Sequence, residues 1–212
     1  MEKKVILFDL DGTITDSGEG IINCSALALE HYGLPVPSRE EMRVFVGPPL
    51  HETFQKFGVP AEECDNAVEV FRSRYTTVGI YENTPCPGIR ELLEALKANG
   101  NRLFIATSKP EVMANRVLEH FDLAKYFELV CGATMDRSRI EKSDVIAYLL
   151  HYIGKSENTV MVGDTAFDVT GAASHGIPTV GVAWGYGKVE DMVAAGACAV
   201  AKTPEDLLKL LI

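Results

Sequence analysis

The feature that most constrains this chain is a recurring order: a short run apolar on both faces, a polar switch, then a helix-like stretch. Val5-Ile6-Leu7-Phe8 ends at Asp9, residues 102–106 end at Thr107, and residues 159–162 end at Gly163-Asp164. Residues 179–182 form a fourth run. A strand with one wet face alternates apolar and polar positions, whereas unbroken apolar runs suit the buried strands of a parallel sheet. Between them lie helix-like stretches at 89–98, 110–120, 142–153 and 166–175. Gly100, Gly154 and Gly176 follow three of these, where a left-handed stop favours glycine. The alternation predicts a doubly wound parallel α/β sheet.

One segment breaks the pattern. Residues 16–81 show helical punctuation and no strand run. Residues 21–32 stop at Gly33-Leu34-Pro35, and Ser38 with Glu41 forms a capping box. Residues 49–57 stop at Gly58, and residues 61–77 make a longer amphipathic run. The spacing therefore predicts an α/β core from residues 1–15 and 82–212, with 16–81 inserted as a helical cap. An insertion directly after the first strand is well placed to act as a lid. Near the C-terminus, Thr203-Pro204-Glu205-Asp206 reads as an N-cap, an N1 proline and an acidic first turn.

Charge narrows the partners. The 212-residue chain has a net charge of −10, which argues against nucleic acid or an anionic membrane as the main partner. It does not argue against an anionic substrate, because a bound cation can set the local field. The five cysteines are odd in number and lack C-x-x-C spacing, which predicts reduced thiols in a cytoplasmic protein. The N-terminal apolar stretch is too short and too acidic for a signal peptide, and no apolar run reaches the roughly 18 residues of a membrane span.

In an open α/β sheet, ligands bind beyond the carboxyl ends of the strands. The polar switches fall there: Asp9 and Asp11 after the first strand, Thr107, Ser108 and Lys109 after another, Asp164 and Asp168 after a third. Lys142 opens a helix whose apolar positions are Val145, Ile146, Leu149 and Leu150. Clustered buried carboxylates repel unless a cation relieves them, and a hard divalent ion such as Mg²⁺ with oxygen ligands suits that task near phosphates. Lysine, hydroxyl and backbone N–H groups can then hold phosphoryl oxygens. The set suits phosphoryl transfer. An EF-hand is excluded because the rest of its loop is missing, and no G-x-G-x-x-G links a strand to a helix. The five histidines show no ligand spacing, and Trp184 and Tyr186 suit either a pocket rim or packing.

Four segments together resemble the haloacid dehalogenase-like hydrolase superfamily: Asp9-Leu10-Asp11-Gly12-Thr13, Thr107 in Ile105-Ala106-Thr107-Ser108-Lys109-Pro110, Lys142, and Gly163-Asp164-Thr165-Ala166-Phe167-Asp168. Residues 84–88 and Gly185-Tyr186-Gly187 resemble the phosphoglycolate phosphatase-like branch. The resemblance implies that Asp9 attacks phosphorus and forms an aspartyl-phosphate, with Asp11 as acid and then base. It implies Mg²⁺ at the Asp9 side chain, the Asp11 backbone carbonyl and Asp164, supported by Asp168, with phosphate held by Thr107, Ser108 and Lys142. Dehalogenases of the superfamily lack an aspartate two residues after the nucleophile, so Asp11 points to a leaving group that needs a proton. Lys142 is followed by Ser143 where many relatives have proline, and Lys109 and Arg139 are further nearby cations.

Thr107 and Lys142 lie 35 residues apart, which one helix, one strand and turns fill, so a cap fits only in the first insertion. There Arg43 and Gly47 are candidate substrate contacts. The expected activity is a cytoplasmic, Mg²⁺-dependent phosphatase, phosphoglycolate phosphatase-like or 5′-nucleotidase-like, acting as monomer or homodimer on a small-molecule phosphate ester. The alternatives are a phosphosugar mutase using the same intermediate, or a non-catalytic binding protein on this fold.

Overall fold

The computed structural model describes residues 3–212. The chain divides into two compact units, one of residues up to Thr15 together with Pro85–Ile212, the other Asp16–Thr84. In the smaller unit, helices α1 (Gly18–His31), α2 (Leu50–Lys56) and α3 (Cys64–Tyr75) supply the framework. Ser38 and Glu41 form the reciprocal cap that their spacing predicts, with Ser38 N donating to Glu41 Oε2 at 3.0 Å and Glu41 N to Ser38 Oγ at 3.3 Å. The helix they open is a single 3₁₀ stretch, Glu41–Phe45. Phe45 packs its ring on Phe54 and Phe57, at 5.2 and 4.8 Å between centroids. Arg74 forks onto both Glu82 oxygens at 2.7 and 2.6 Å.

The larger unit is built on six parallel strands: β1 (Val5–Phe8), β2 (Arg102–Pro110), β3 (Leu129–Ala133), β4 (Thr159–Gly163), β5 (Thr179–Val182) and β6 (Ala199–Ala201). Their order is β3-β2-β1-β4-β5-β6, with every pair parallel. This is the doubly wound α/β fold that the strand runs predict. The chain winds outward from β1 through β2 to β3, then returns to β4 on the other side of β1. The reversal falls between β1 and β4, and a ligand crevice opens beyond the carboxyl ends of such a strand pair. Register brings the switches level: Phe8 pairs with Ile105 on one side and Val162 on the other, so Asp9, Ala106 and Gly163 follow in one row.

Helices α4 (Ile89–Ala98), α5 (Glu111–His120), α6 (Lys142–Ile153), α7 (Ala166–Ala173), α8 (Val189–Ala194) and α9 (Pro204–Leu211) complete the unit. Beneath α6, Leu7, Phe104, Ala106, Cys131 and Met161 of the sheet pack with Val145, Ile146 and Leu149 of the helix. All three helix residues are fully buried. That contact fixes where the first residue of α6, Lys142, projects. At α9, Thr203 Oγ1 accepts the Asp206 N–H at 3.2 Å, the N-cap expected there. The edge strand β6 carries no run signal in the sequence. Among the described residues, no helix is long and apolar enough to cross a membrane.

Candidate active site

Asp9 follows the fully buried Phe8, and its backbone N–H continues the sheet by donating to Val162 O at 2.9 Å. Its Oδ1 accepts from Leu10 N at 2.7 Å. The chain then coils tightly, with the N–H groups of Thr13, Ile14 and Thr15 all directed to Leu10 O at 2.9–3.3 Å. Gly12 sits in that coil at φ +87°, and a Cβ there would lie 2.4 Å from Asp164 Oδ2. Glycine is required by both conformation and space.

Asp164 is held rather than merely present. Tyr186 N donates to its Oδ2 at 2.7 Å and Thr13 Oγ1 to its Oδ1 at 3.1 Å. A Cβ on Gly185 would fall 2.3 Å from the Asp164 Cβ, and one on Gly187 2.1 Å from the Asp164 carbonyl oxygen. The Gly-Tyr-Gly segment is therefore a close backbone cradle for this carboxylate. Asp168 divides its two oxygens. Oδ2 caps α7, accepting from Thr165 N at 3.0 Å and Thr165 Oγ1 at 2.8 Å, while Oδ1 lies 2.8 Å from Lys142 Nζ. The same ammonium reaches Asp9 Oδ1 at 2.9 Å and the Ala106 carbonyl at 3.0 Å. Gly171 of α7 makes room for it, since a Cβ there would press to 2.7 Å on Lys142 Cγ.

These side chains are almost wholly removed from water, with Asp9, Asp164, Asp168 and Lys142 at 5, 1, 0 and 5% exposure. Burial drives the Asp9 carboxyl up to about 6, against the pull of Lys142, with the Asp168 charge adding to the rise. Burial also drives Asp164 up to about 8, helped by the charges of Asp168 and Asp9 and resisted by Tyr186 N–H and the Thr13 hydroxyl. Burial opposes the charge on Lys142, but Asp168 and Asp9 together outweigh it and hold the ammonium above the ordinary lysine range. One lysine thus pairs with two of the three carboxylates, Asp9 and Asp168. Oxygens of Asp9, Asp164 and Asp168 lie within 4.8 Å of one another. An all-oxygen, net-negative, buried donor set fits a hard divalent cation such as Mg²⁺.

Thr107, 1% exposed, lies beside the Asp9 carboxylate, and its Oγ1 accepts from Lys109 N at 3.2 Å. Ser108, next in the chain, is half-buried. Asp11 stands apart from the acidic triad in its partner: both its oxygens lie on Lys109 Nζ, at 2.9 and 3.0 Å. Arg43 and Gly47 belong to the smaller unit, where Arg43 Nε is 3.9 Å from Glu40 and Gly47 adopts φ +105°. Trp184 Nε1 donates to Thr13 O at 3.1 Å, bracing the coil after β1. The contacts of Lys109 and Gly171 leave no spacing signal. The Gly-Tyr-Gly segment does leave one, though not the identity of the carboxylate it cradles.

Comparison with known proteins shows the family. Residues 6–182 match the family model described as haloacid dehalogenase-like hydrolase. A Mycobacterium tuberculosis protein named tyrosine-protein kinase PtkA is 42% identical over 98% of this chain and 72% of its own length. A 5′-nucleotidase of Pseudomonas aeruginosa is 39% identical over 89% of this chain and 86% of its own. A crystal structure described as a "predicted phosphatase" from Clostridium acetobutylicum superposes with a TM-score of 0.96 at 36% identity, covering 100% of this chain and 99% of that one. The chain belongs to the haloacid dehalogenase-like hydrolases.

Proposed function

We propose that the chain is a Mg²⁺-dependent phosphoric monoester hydrolase that passes through an aspartyl-phosphate on Asp9. The observation that carries the reading is one buried lysine joining Asp9 to Asp168, with Asp164 close enough to complete an oxygen site. A buried carboxylate held at its backbone and at one oxygen is an oriented nucleophile. Asp9 and Asp164, with the Asp11 carbonyl and support from Asp168, would hold Mg²⁺. When bound, the ion would neutralise carboxylate and phosphoryl oxygens that otherwise repel.

The chain's own groups do the rest. Asp9 attacks phosphorus as the bond to the leaving oxygen breaks, while Thr107, Ser108 and Lys142 hold the phosphoryl oxygens. Asp11 gives its proton to the departing oxygen. It then takes a proton from the water that cleaves the Asp9–phosphorus bond, which returns Asp9 and releases phosphate. Residues 16–81, inserted directly after the strand that leads to Asp9 and lying within the compact unit Asp16–Thr84, would act as the cap that selects the leaving group, with Arg43 and Gly47 as its candidate contacts. The name of the Pseudomonas aeruginosa relative supports a small phosphate ester, a nucleoside monophosphate, as substrate, and the resemblance of residues 84–88 and Gly185-Tyr186-Gly187 adds phosphoglycolate as a candidate.

A phosphate-release screen over 2-phosphoglycolate, nucleoside monophosphates and sugar phosphates tests the reading. Release with Mg²⁺, its loss in EDTA and its return with added Mg²⁺ are expected. Full activity in EDTA rejects the metal, and phosphate moved between sugar positions without release favours a mutase. The kinase-named relative supports a second reading, phosphoryl transfer from a nucleotide to a tyrosine hydroxyl. Label from γ-labelled ATP retained on protein tyrosine, rather than freed as phosphate, would favour it.

A further inference from the structure

The two buried lysines of the site pair with different carboxylates, Lys142 with Asp9 and Asp168 and Lys109 with Asp11, and only Lys142 has a role in the reaction as described. Lys109 owes its position to a defect in the sheet. Along β2 and β3, Thr107 pairs with Gly132 and Pro110 with Ala133, so Ser108 and Lys109 are two extra residues with no partner positions on β3. Such bulges re-aim side chains and cluster beside active sites. This one is braced. Gly132 lies under it, where a Cβ would be 2.5 Å from Lys109 O and 2.7 Å from Glu111 N. Gly132 N donates to Glu111 Oε2 at 3.3 Å, and Arg139 ties the Gly132 carbonyl to the same carboxylate at 2.8 and 3.0 Å. The re-aimed Lys109 reaches both Asp11 oxygens, and the two side chains are only 4 and 10% exposed.

We propose that Lys109 is the positioning residue for Asp11, and that the bulge carrying it is part of the acid–base machinery. A proton donor must present one oxygen to the leaving atom within hydrogen-bond reach, and small misplacement is costly. An ammonium on both oxygens sets the plane of the Asp11 carboxyl. Without it a buried carboxylate has lost its cation and turns to other donors. The inference rests on the phosphatase reading above and adds to it the residue that aims the acid.

Leaving-group dependence tests it, because proton donation matters more when the leaving oxygen is more basic. Phenyl phosphate and p-nitrophenyl phosphate are close in shape, and the first releases the more basic phenolate. The readout is kcat/KM for the intact chain with Mg²⁺, which reports phosphorylation of Asp9. Lys109→Met is expected to lose about tenfold more on phenyl phosphate than on p-nitrophenyl phosphate. Lys109→Arg is expected to recover most of that difference. In an Asp11→Asn background, Lys109→Met is expected to add less than about twofold. Equal losses on the two esters, or a full further loss in the Asp11→Asn background, overturn the proposal. The double variant strands no carboxylate, so it decides between these outcomes even if Lys109→Met alone fails to fold. Failure of the wild type on both esters strikes the phosphatase reading itself, and this proposal with it.

Discussion

Asp9 shares one oxygen, Oδ1, between Leu10 N and Lys142 Nζ, so its charge is oriented as well as buried. Replacing that carboxylate by an amide of the same shape keeps packing and removes the proposed nucleophile. Asp9→Asn is therefore expected to lower phosphate release by about 10³-fold or more, with the melting temperature unchanged or higher, since one of three crowded carboxylates is gone. Activity within about tenfold of wild type would sink the assignment. Asp9, Asp11, Asp164 and Lys142 were legible as candidates because each stands where an apolar run ends or a periodic helix begins. Lys109 was legible only as a nearby cation. Its aim depends on a bulge, which adds two residues between paired positions and interrupts the regular alternation of side chains without changing composition. The cradle around Asp164 was hidden for another reason. Gly12 and Gly185 meet that carboxylate across long stretches of chain, and glycine spacing carries no record of what a backbone will touch.

At the scale of elements, α6 matters most because it both packs and delivers chemistry. Val145, Ile146 and Leu149 are buried on the sheet, and the same helix begins at Lys142. Leu149→Ala removes apolar contact from a fully buried position and is expected to cost about 2–5 kcal/mol in urea unfolding. Val112→Ala, at a residue 54% exposed, is expected to change stability by less than about 0.5 kcal/mol. Equal midpoints for the two variants would contradict the packing described for α6. The helix itself was readable, since its period-3.6 stripe and its closing Gly154 survive in the sequence. The edge strand β6 was not. Ala199–Ala201 is three residues long, and its first two are half-buried, so neither length nor apolar density marks it. The central strands β1, β2, β4 and β5 were readable because burial on both faces leaves an unbroken apolar run.

At the scale of the whole molecule, a chain of net charge −10 concentrates three buried carboxylates at a single sheet edge, two of them paired with one lysine. The strand order could not be read from the runs, but their shared habit of ending in polar residues already pointed to one edge. That edge should dominate how stability depends on pH when no metal is bound. Asp164 is held at about 8 and Asp9 at about 6 in the folded protein, against about 3.9 for an unfolded aspartate. Between about pH 4 and pH 8 the folded state therefore binds more protons than the unfolded chain. Stability falls as pH rises through that window, the reverse of the usual paired carboxylate. Metal-free protein is expected to melt about 5 °C lower or more at pH 8 than at pH 6. If Mg²⁺ is held as proposed, by the ionised oxygens of the folded protein, it should raise the melting temperature more at pH 8 than at pH 6. Asp164→Asn removes the group with the largest rise and should flatten both the pH slope and the Mg²⁺ response. A variant that keeps both would show that the charge controlling this protein's stability lies elsewhere than at the edge where Asp9 stands.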